Sequence, residues 1–130
     1  MMYLEPSDSP WGLVVHCDTL CPGVYSVSTA GHGGIMVHID AAQRLLSSKA
    51  QAIGFRAGGY LNFEEDCDAP VALRELIDSG TITPRTDNYF RPGEYEACID
   101  RSLRRWHLDY WRARQERRST ERPKDRGNER

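Results

Sequence analysis

Hydrophobic and polar positions change period several times along this 130-residue chain, and each change predicts an element. The segment "WGLVVHCD" (11–18) has a Val-rich centre and reads as a strand. "VYSVST" (24–29) sets Val24, Ser26 and Ser28 against Tyr25 and Val27, the period of two that a strand shows. The turn chemistry of "TLCPG" (19–23) between them predicts a hairpin. A third short strand, "IMVHI" (35–39), makes "AGHGG" (30–34) the link between strands two and three.

Helical spacing follows. Asp40 precedes "AAQRLLSSKAQA" as an N-cap, with Ala41, Ala42, Leu45 and Leu46 on one side of a helix over about 41–52. "GFRAGGYLNF" (54–63) returns to extended or loop structure. Asn62 and Glu65 have capping-box spacing, but Pro70 interrupts a helix begun there, so Asp68 is the alternative cap. Val71, Leu73, Leu76 and Ile77 then face inward up to Gly80, a C-terminal stop. After a connecting segment (81–93), Tyr95, Ile99, Leu103, Trp106 and Tyr110 recur at steps of three and four. They predict a long amphipathic helix over about 94–116 with its arginines outward. The predicted fold is α+β: a small antiparallel sheet with helices packed on one face and that long helix at the C-terminus. Residues 1–118 form one globular domain, and 119–130, without apolar residues, a disordered basic tail.

Composition agrees with a globular domain, at 39% hydrophobic and 28% charged residues. No apolar run approaches the roughly 20 residues of a membrane span, so a membrane partner is not expected. No secretory pattern opens the chain, which predicts a cytoplasmic location in a bacterial host cell. The net charge of −2 conceals a division. Residues 1–100 hold 6 Lys/Arg against 14 Asp/Glu, a net of −8, whereas 101–130 hold 11 against 5, a net of +6. Cys17, Cys21, Cys67 and Cys98 read as reduced structural thiols. Cys17 and Cys21 lack CxxC spacing, and with His16 and His38 they form no standard zinc pattern, so neither metal nor cofactor is expected.

Two short stretches carry candidate chemistry. In "GHGG", Gly31, Gly33 and Gly34 either make a tight turn or let a ligand approach the backbone beside His32. The stretch lacks the Lys-Ser/Thr of a phosphate-binding loop, and it does not match GxGxxG. In "FEEDCD" (63–68), Glu64, Glu65, Asp66 and Asp68 could hold a cation, supply a general acid, or cap a helix start. Ser28, Thr29 and Cys67 are available as nucleophiles, but no triad spacing selects one.

"WG" (11–12), "STAGHGG" (28–34) and "EEDCD" (64–68) resemble, in order and rough spacing, a family of uncharacterised small domains in proteins of phages, plasmids and other bacterial mobile elements. The similarity spans about residues 11–80. Phe63 matches the aromatic that precedes the family's acidic run, while "YLN" (60–62) separates it from Gly58 and Gly59, unlike the family pattern. The resemblance marks Trp11, His32, Gly33, Gly34, Glu64, Glu65 and Asp66, and implies that His32 and the acidic run meet in space.

The function this predicts is a small phage or mobile-element protein that binds and inhibits a host protein or nucleoprotein complex, an anti-CRISPR-like or antirestriction activity. Its binding residues would be His32, Gly33, Gly34, Glu64, Glu65 and Asp66, with Arg104 and Trp111 on the last helix. Trp111 lies off the apolar stripe among arginines, the composition of an interface anchor and equally of a large aromatic finishing the edge of the core. Direct nucleic-acid binding is the lesser reading, because Asp109 and Glu116 interrupt the basic helix and no Asn/Gln set suits base reading. No catalytic residue is assigned under this reading. The alternative is a metal-dependent hydrolase or transferase using His32 and the acidic run 64–66.

Overall fold

A computed structural model describes residues 3–125, with side chains through Glu121. Two short strands, β1 (Asp8–Ser9) and β2 (Gly12–Leu13), form a small N-terminal hairpin. Then come β3 (His16–Cys21), β4 (Val24–Ser28) and β5 (Gly33–His38), followed by α1 (Ile39–Leu45) and α2 (Ser48–Ile53). A second hairpin, β6 (Phe55–Ala57) and β7 (Tyr60–Glu64), leads into α3 (Ala69–Asp78), α4 (Glu94–Trp106) and α5 (Leu108–Asp125). The five-stranded sheet is antiparallel throughout, in the order β3-β4-β5-β7-β6. The α+β architecture is therefore the predicted one.

The sheet's two faces are covered differently. Val24, Ile35, Val37, Leu61 and Phe63 point to the helical side and form the main core with Val71, Leu76, Ile99, Leu103 and Tyr110. Full burial of side chains such as Phe63, Leu76 and Leu103 contributes about 1.5–3 kcal/mol each. On the other face Tyr25, Val27 and Met36 are covered by Tyr3, Trp11, Val14 and Tyr60, so the N-terminal arm is a lid on the sheet.

Several boundaries differ from the periodicity, each for a physical reason. α1 begins at Ile39, and its cap is His38, whose Nδ1 accepts the Asp40 amide hydrogen at 3.2 Å. The single helix predicted over 41–52 is two, because Ser47 starts α2 with its hydroxyl bonded to the Ala50 amide. Asn62 starts no helix: it is a fully buried residue of β7, donating to the Phe55 carbonyl at 3.1 Å. Gly58 and Gly59, at φ 62° and 83°, close the β6–β7 hairpin in the left-handed conformation its two-residue turn requires. At the C-terminus α5 continues to Asp125, within the segment read as a tail, and residues 126–130 of that tail lie outside the described residues.

The long C-terminal helix is broken at His107, whose φ of −140° and ψ of 60° end α4 before α5 begins. The inward position after Leu103 is His107, with Nε2 at 2.9 Å from Asp68 Oδ1. Trp106, expected in the core, is 52% exposed, and Trp111, read as an interface anchor or a core-edge aromatic, packs half-buried against the core. The stripe that faces inward is thus Ile99, Leu103, His107, Tyr110 and Arg114, and its polar members contact α3 and its first residue: His107 meets Asp68, Tyr110 meets Glu75 and Arg114 meets Asp78.

Two arginines in that interior were expected to face water or were not singled out. Arg74 is 2% exposed and Arg114 6%. A buried cation is tolerated only when its donors are satisfied. Arg74 donates to Asp78 at 3.1 Å, Asp100 at 2.9 Å and Glu96 at 2.5 Å. Arg114 grips the same Asp78 carboxylate through two bonds, at 2.7 and 3.0 Å. Nearby, Glu75 accepts the Tyr110 hydroxyl at 2.6 Å and the Ser47 amide at 2.7 Å. This polar clasp joins α3 to α4 and α5, and through Ser47 to α2.

Two outcomes follow from the clasp. Arg74→Met leaves the part-exposed Glu96 and Asp100 without their arginine and Asp78 with Arg114 alone, and should cost about 1–3 kcal/mol in urea denaturation. Burial pulls the Asp78 carboxyl upward, but the hydrogen bond from Arg114 and the charge of Arg74 outweigh it and hold its pKa below the usual value. Its stabilising contribution is therefore complete above the unfolded-state value of about 3.9 and is lost as pH falls through the folded value. The urea midpoint should decline below about pH 4, and Asp78→Asn should flatten that part of the decline; an unaltered acid limb in the variant would contradict the assignment.

Candidate functional site

The two sequence stretches meet because β5 and β7 are neighbours. Their antiparallel register places Gly34 opposite Glu64, so the start of β5 adjoins the end of β7. The Glu65 amide extends the pairing by donating to the Gly33 carbonyl at 3.0 Å. On the other side of β5, the connection from β4 is held by Thr29. Its amide donates to the His32 carbonyl at 2.7 Å, its hydroxyl donates to the same oxygen at 2.6 Å, and that hydroxyl accepts the His32 amide hydrogen at 3.1 Å. Thr29, considered above as a nucleophile, is the clamp that presents His32.

His32, Glu65 and Asp66 consequently come together, all exposed, with one ligand-type atom from each lying within 4.8 Å of the others. Among the described residues no direct hydrogen bond joins the imidazole to either carboxylate. Imidazole and carboxylate donors suit zinc or manganese, and rotation of exposed side chains could bring all three to the ligand distances of about 2.0–2.2 Å that zinc takes. The cluster can equally present a histidine and two acids to a protein partner.

Glu64 does not join this group. Its carboxylate accepts a long hydrogen bond from the Cys67 thiol at 3.6 Å. Burial, followed by the charges of Asp68 and Glu64, pushes the Cys67 thiol up to about 11, which keeps it protonated and unreactive near neutral pH. Asp68 stands at the start of α3 and binds His107 instead of a cation. Cys17, Cys21, Cys67 and Cys98 are all free thiols, and the His16, His38, Cys17 and Cys21 set does not gather: His38 caps α1, its ring 4.9 Å from Tyr3 and 5.8 Å from Tyr60.

Gly33 and Gly34 are not the flexible half of a loop. Both are buried residues of β5 with ordinary strand backbone. The space beside them explains the residue type. A Cβ on Gly34 would lie 2.5 Å from Trp11 Cη2 and against the Phe63 carbonyl; one on Gly33 would press on the Val27 carbonyl. The Trp11 ring thus seats against the glycine and meets Phe55 edge-on at 6.2 Å. The early "WG" and the distant "GG" are two halves of one packing contact. Gly31, by contrast, has nothing within 4 Å of an added Cβ.

The second predicted site shifts along the last helices. Trp111 is half-buried, with the guanidinium carbons of Arg104 and Arg114 5.3 and 5.8 Å from its ring centre. The exposed aromatic is Trp106, with Arg105 5.0 Å above its ring, and Leu108 beside it is 40% exposed. The periodicity missed Trp106 because the stripe was read in steps of three and four as an uninterrupted helix. The unbroken i+4 series from Ile99 through Leu103 to His107 was the signal available.

The glycine assignments give a contrast that thermal denaturation can read. Gly34→Ala should destabilise by about 1–3 kcal/mol through overpacking against Trp11. Gly31→Ala should be neutral or stabilise by up to about 1 kcal/mol by restricting the unfolded chain. Equal effects at the two positions would show that Trp11 does not seat on Gly34.

No curated protein and no solved structure matches the chain. One family model does, a domain of unknown function (DUF7007), over residues 4–130, which includes the Trp11–Gly34 contact, the His32–acid cluster and the C-terminal helices. The chain belongs to the DUF7007 family.

Proposed function

We propose that this domain is a binding protein of a phage or other mobile element that occupies the surface of a host protein or nucleoprotein complex, with a defence system of the CRISPR or restriction type as its target. The observation that carries the reading is the elbow between α4 and α5. There Trp106 is 52% exposed, Arg105 stacks on it, and Leu108 extends the apolar surface. Arg101, Arg104 and Arg105 line the adjoining shallow depression. Trp and Arg are among the residue types most enriched in binding hot spots, and Trp106 and Arg105 stand together at this surface. The cationic rim suits an acidic partner surface with an apolar recess for the indole, while the net −8 of residues 1–100 would repel it elsewhere and orient the approach.

Expression in cells that restrict an infecting phage through CRISPR or restriction enzymes tests this. The wild-type chain should raise plating efficiency, and Trp106→Ala should abolish the gain while changing stability by less than about 1 kcal/mol. A hot-spot loss of about 2 kcal/mol corresponds to roughly thirtyfold in affinity. Absence of protection against both systems would reject the proposed target, and a fully active Trp106→Ala would reject the proposed surface.

The convergence of His32, Glu65 and Asp66 favours one second reading, a divalent-cation-dependent hydrolase or transferase. On that reading, manganese or zinc at about 100 times its Kd should stabilise the fold by about 2.7 kcal/mol. His32→Ala and Asp66→Asn should each remove the effect. A wild-type melting temperature indifferent to both ions would sink it.

A further inference from the structure

The sheet carries a second polar feature, on its helical face and away from both surfaces above. At the β3–β4 end, register places Asp18 opposite Ser26, and Ser26 opposite Ile35. Strand alternation puts Ser26 on the same face as Val24, which is fully buried in the main core. A carboxylate and a hydroxyl therefore stand where a purely structural sheet would continue its apolar row. The helices do not close over them. An open pocket of about 400 Å³ remains, lined by Asp18, Leu20, Ser26, Ile35, Leu73, Arg85 and Tyr95, with Asp18 and Arg85 exposed to solvent.

The roof of this cavity is organised before any ligand arrives. It comes from the 81–93 segment, which has no regular structure, yet Arg85 is braced on three sides. Its Nε and Nη2 donate to Asp87 Oδ2 at 3.1 and 2.7 Å, and its guanidinium carbon lies 5.0 Å from the Phe90 ring and 6.0 Å from the Tyr95 ring. Asp87 is itself held by the Tyr89 and Phe90 amides at 2.8 and 3.1 Å, and Phe90 meets Tyr95 edge-on at 5.1 Å. Among the described residues, Arg85 Nη1 is the edge of the guanidinium left over. Asp18, on the strand side, is not within ion-pairing distance of Arg85, so it borders the pocket as a carboxylate without a cation in contact. Arg85, paired with Asp87 through its Nε–Nη2 edge, offers Nη1 as its remaining donor.

We infer that this cavity is a binding site for a small zwitterion of the amino-acid class, with its carboxylate on Arg85, its ammonium on Asp18 and an apolar side chain against Leu20, Ile35 and Leu73. Sites of this kind combine an apolar lining with a few placed polar groups, and 400 Å³ falls within the usual range of about 300–1,000 Å³. A bare anion would meet the Asp18 carboxylate, and a bare cation would meet Arg85. A ligand bearing both charges satisfies each, and the Ser26 and Tyr95 hydroxyls add two further hydrogen-bonding groups. The site does not depend on the Trp106 surface, and either can fail without the other.

Calorimetric titration of the full chain with L-leucine, L-leucinamide and 4-methylpentanoate tests the inference, since the second probe lacks the carboxylate and the third lacks the ammonium. L-leucine should bind saturably, and each truncated probe roughly tenfold more weakly. Asp18→Asn should weaken L-leucine by a similar factor yet leave 4-methylpentanoate unchanged. Arg85→Gln should weaken L-leucine yet leave L-leucinamide unchanged. The three probes keep the test valid on the wild-type chain if a variant folds poorly. No saturation by L-leucine, or by L-phenylalanine as a larger alternative, up to roughly 10 mM, a concentration well past a millimolar Kd, would overturn the site. So would equal affinity for all three leucine-derived probes.

Discussion

Pairing of β5 with both β4 and β7 is the constraint on which the rest of the molecule depends. β5 is the middle strand, and its residues alternate between the two cores: Ile35 and Val37 toward the helices, Met36 toward the N-terminal arm. A one-residue slip would exchange these sets and expose both. The same register sets Gly34 beside Glu64, and only then does His32 come near Glu65 and Asp66. Trp11 reinforces it from outside, because its ring can lie on the sheet only where a residue without a side chain leaves room. The candidate cluster is therefore a consequence of strand pairing, with no dedicated loop structure beyond the Thr29 clamp.

The helical layer is held by a different kind of force. Apolar burial supplies its adhesion, but it does not determine how α3, α4 and α5 are oriented about one another. Arg74 and Arg114 do, since their forked donors accept carboxylates only in restricted directions. Buried ion pairs are weak sources of net stability and strong penalties when broken. Here they tie both α4 and α5 to α3, and so set the elbow between them, with Trp106 outside and Trp111 half-buried. Structure and proposed binding surface are linked through that elbow.

Much of the fold was legible in the sequence, and the misses share a cause. Strand β4, the α3 core residues and the inward side of Ile99 and Leu103 were readable because alternating or helical apolar spacing reports burial directly. Gly33 and Gly34 were misread as turn because a glycine contributes nothing to periodicity, and the reason for its presence, Trp11, lies more than twenty positions away. Arg114 was assigned outward by its charge although it continues the inward series of Leu103, His107 and Tyr110, and Arg74 falls on the Val71 face of its helix. The meeting of His32 with Glu65 and Asp66 was anticipated from the family resemblance, not from spacing. Trp106 and the Asp18–Arg85 cavity needed the structure, since one depends on a helix break and the other on what the helices fail to cover.

Site-resolved amide hydrogen exchange tests the central claim most directly, because it reports which backbone groups are paired in the folded chain. If the glycine pair belongs to the central strand, the Gly34 and Glu65 amides should exchange as slowly as those of Ile35 and Phe63, while Gly31 exchanges at the rate of an open loop. Fast exchange at Gly34 and Glu65 alongside protected Ile35 and Phe63 would return "AGHGG" to a flexible turn. It would also remove the structural basis for the Trp11 contact and for the meeting of His32 with the acidic pair.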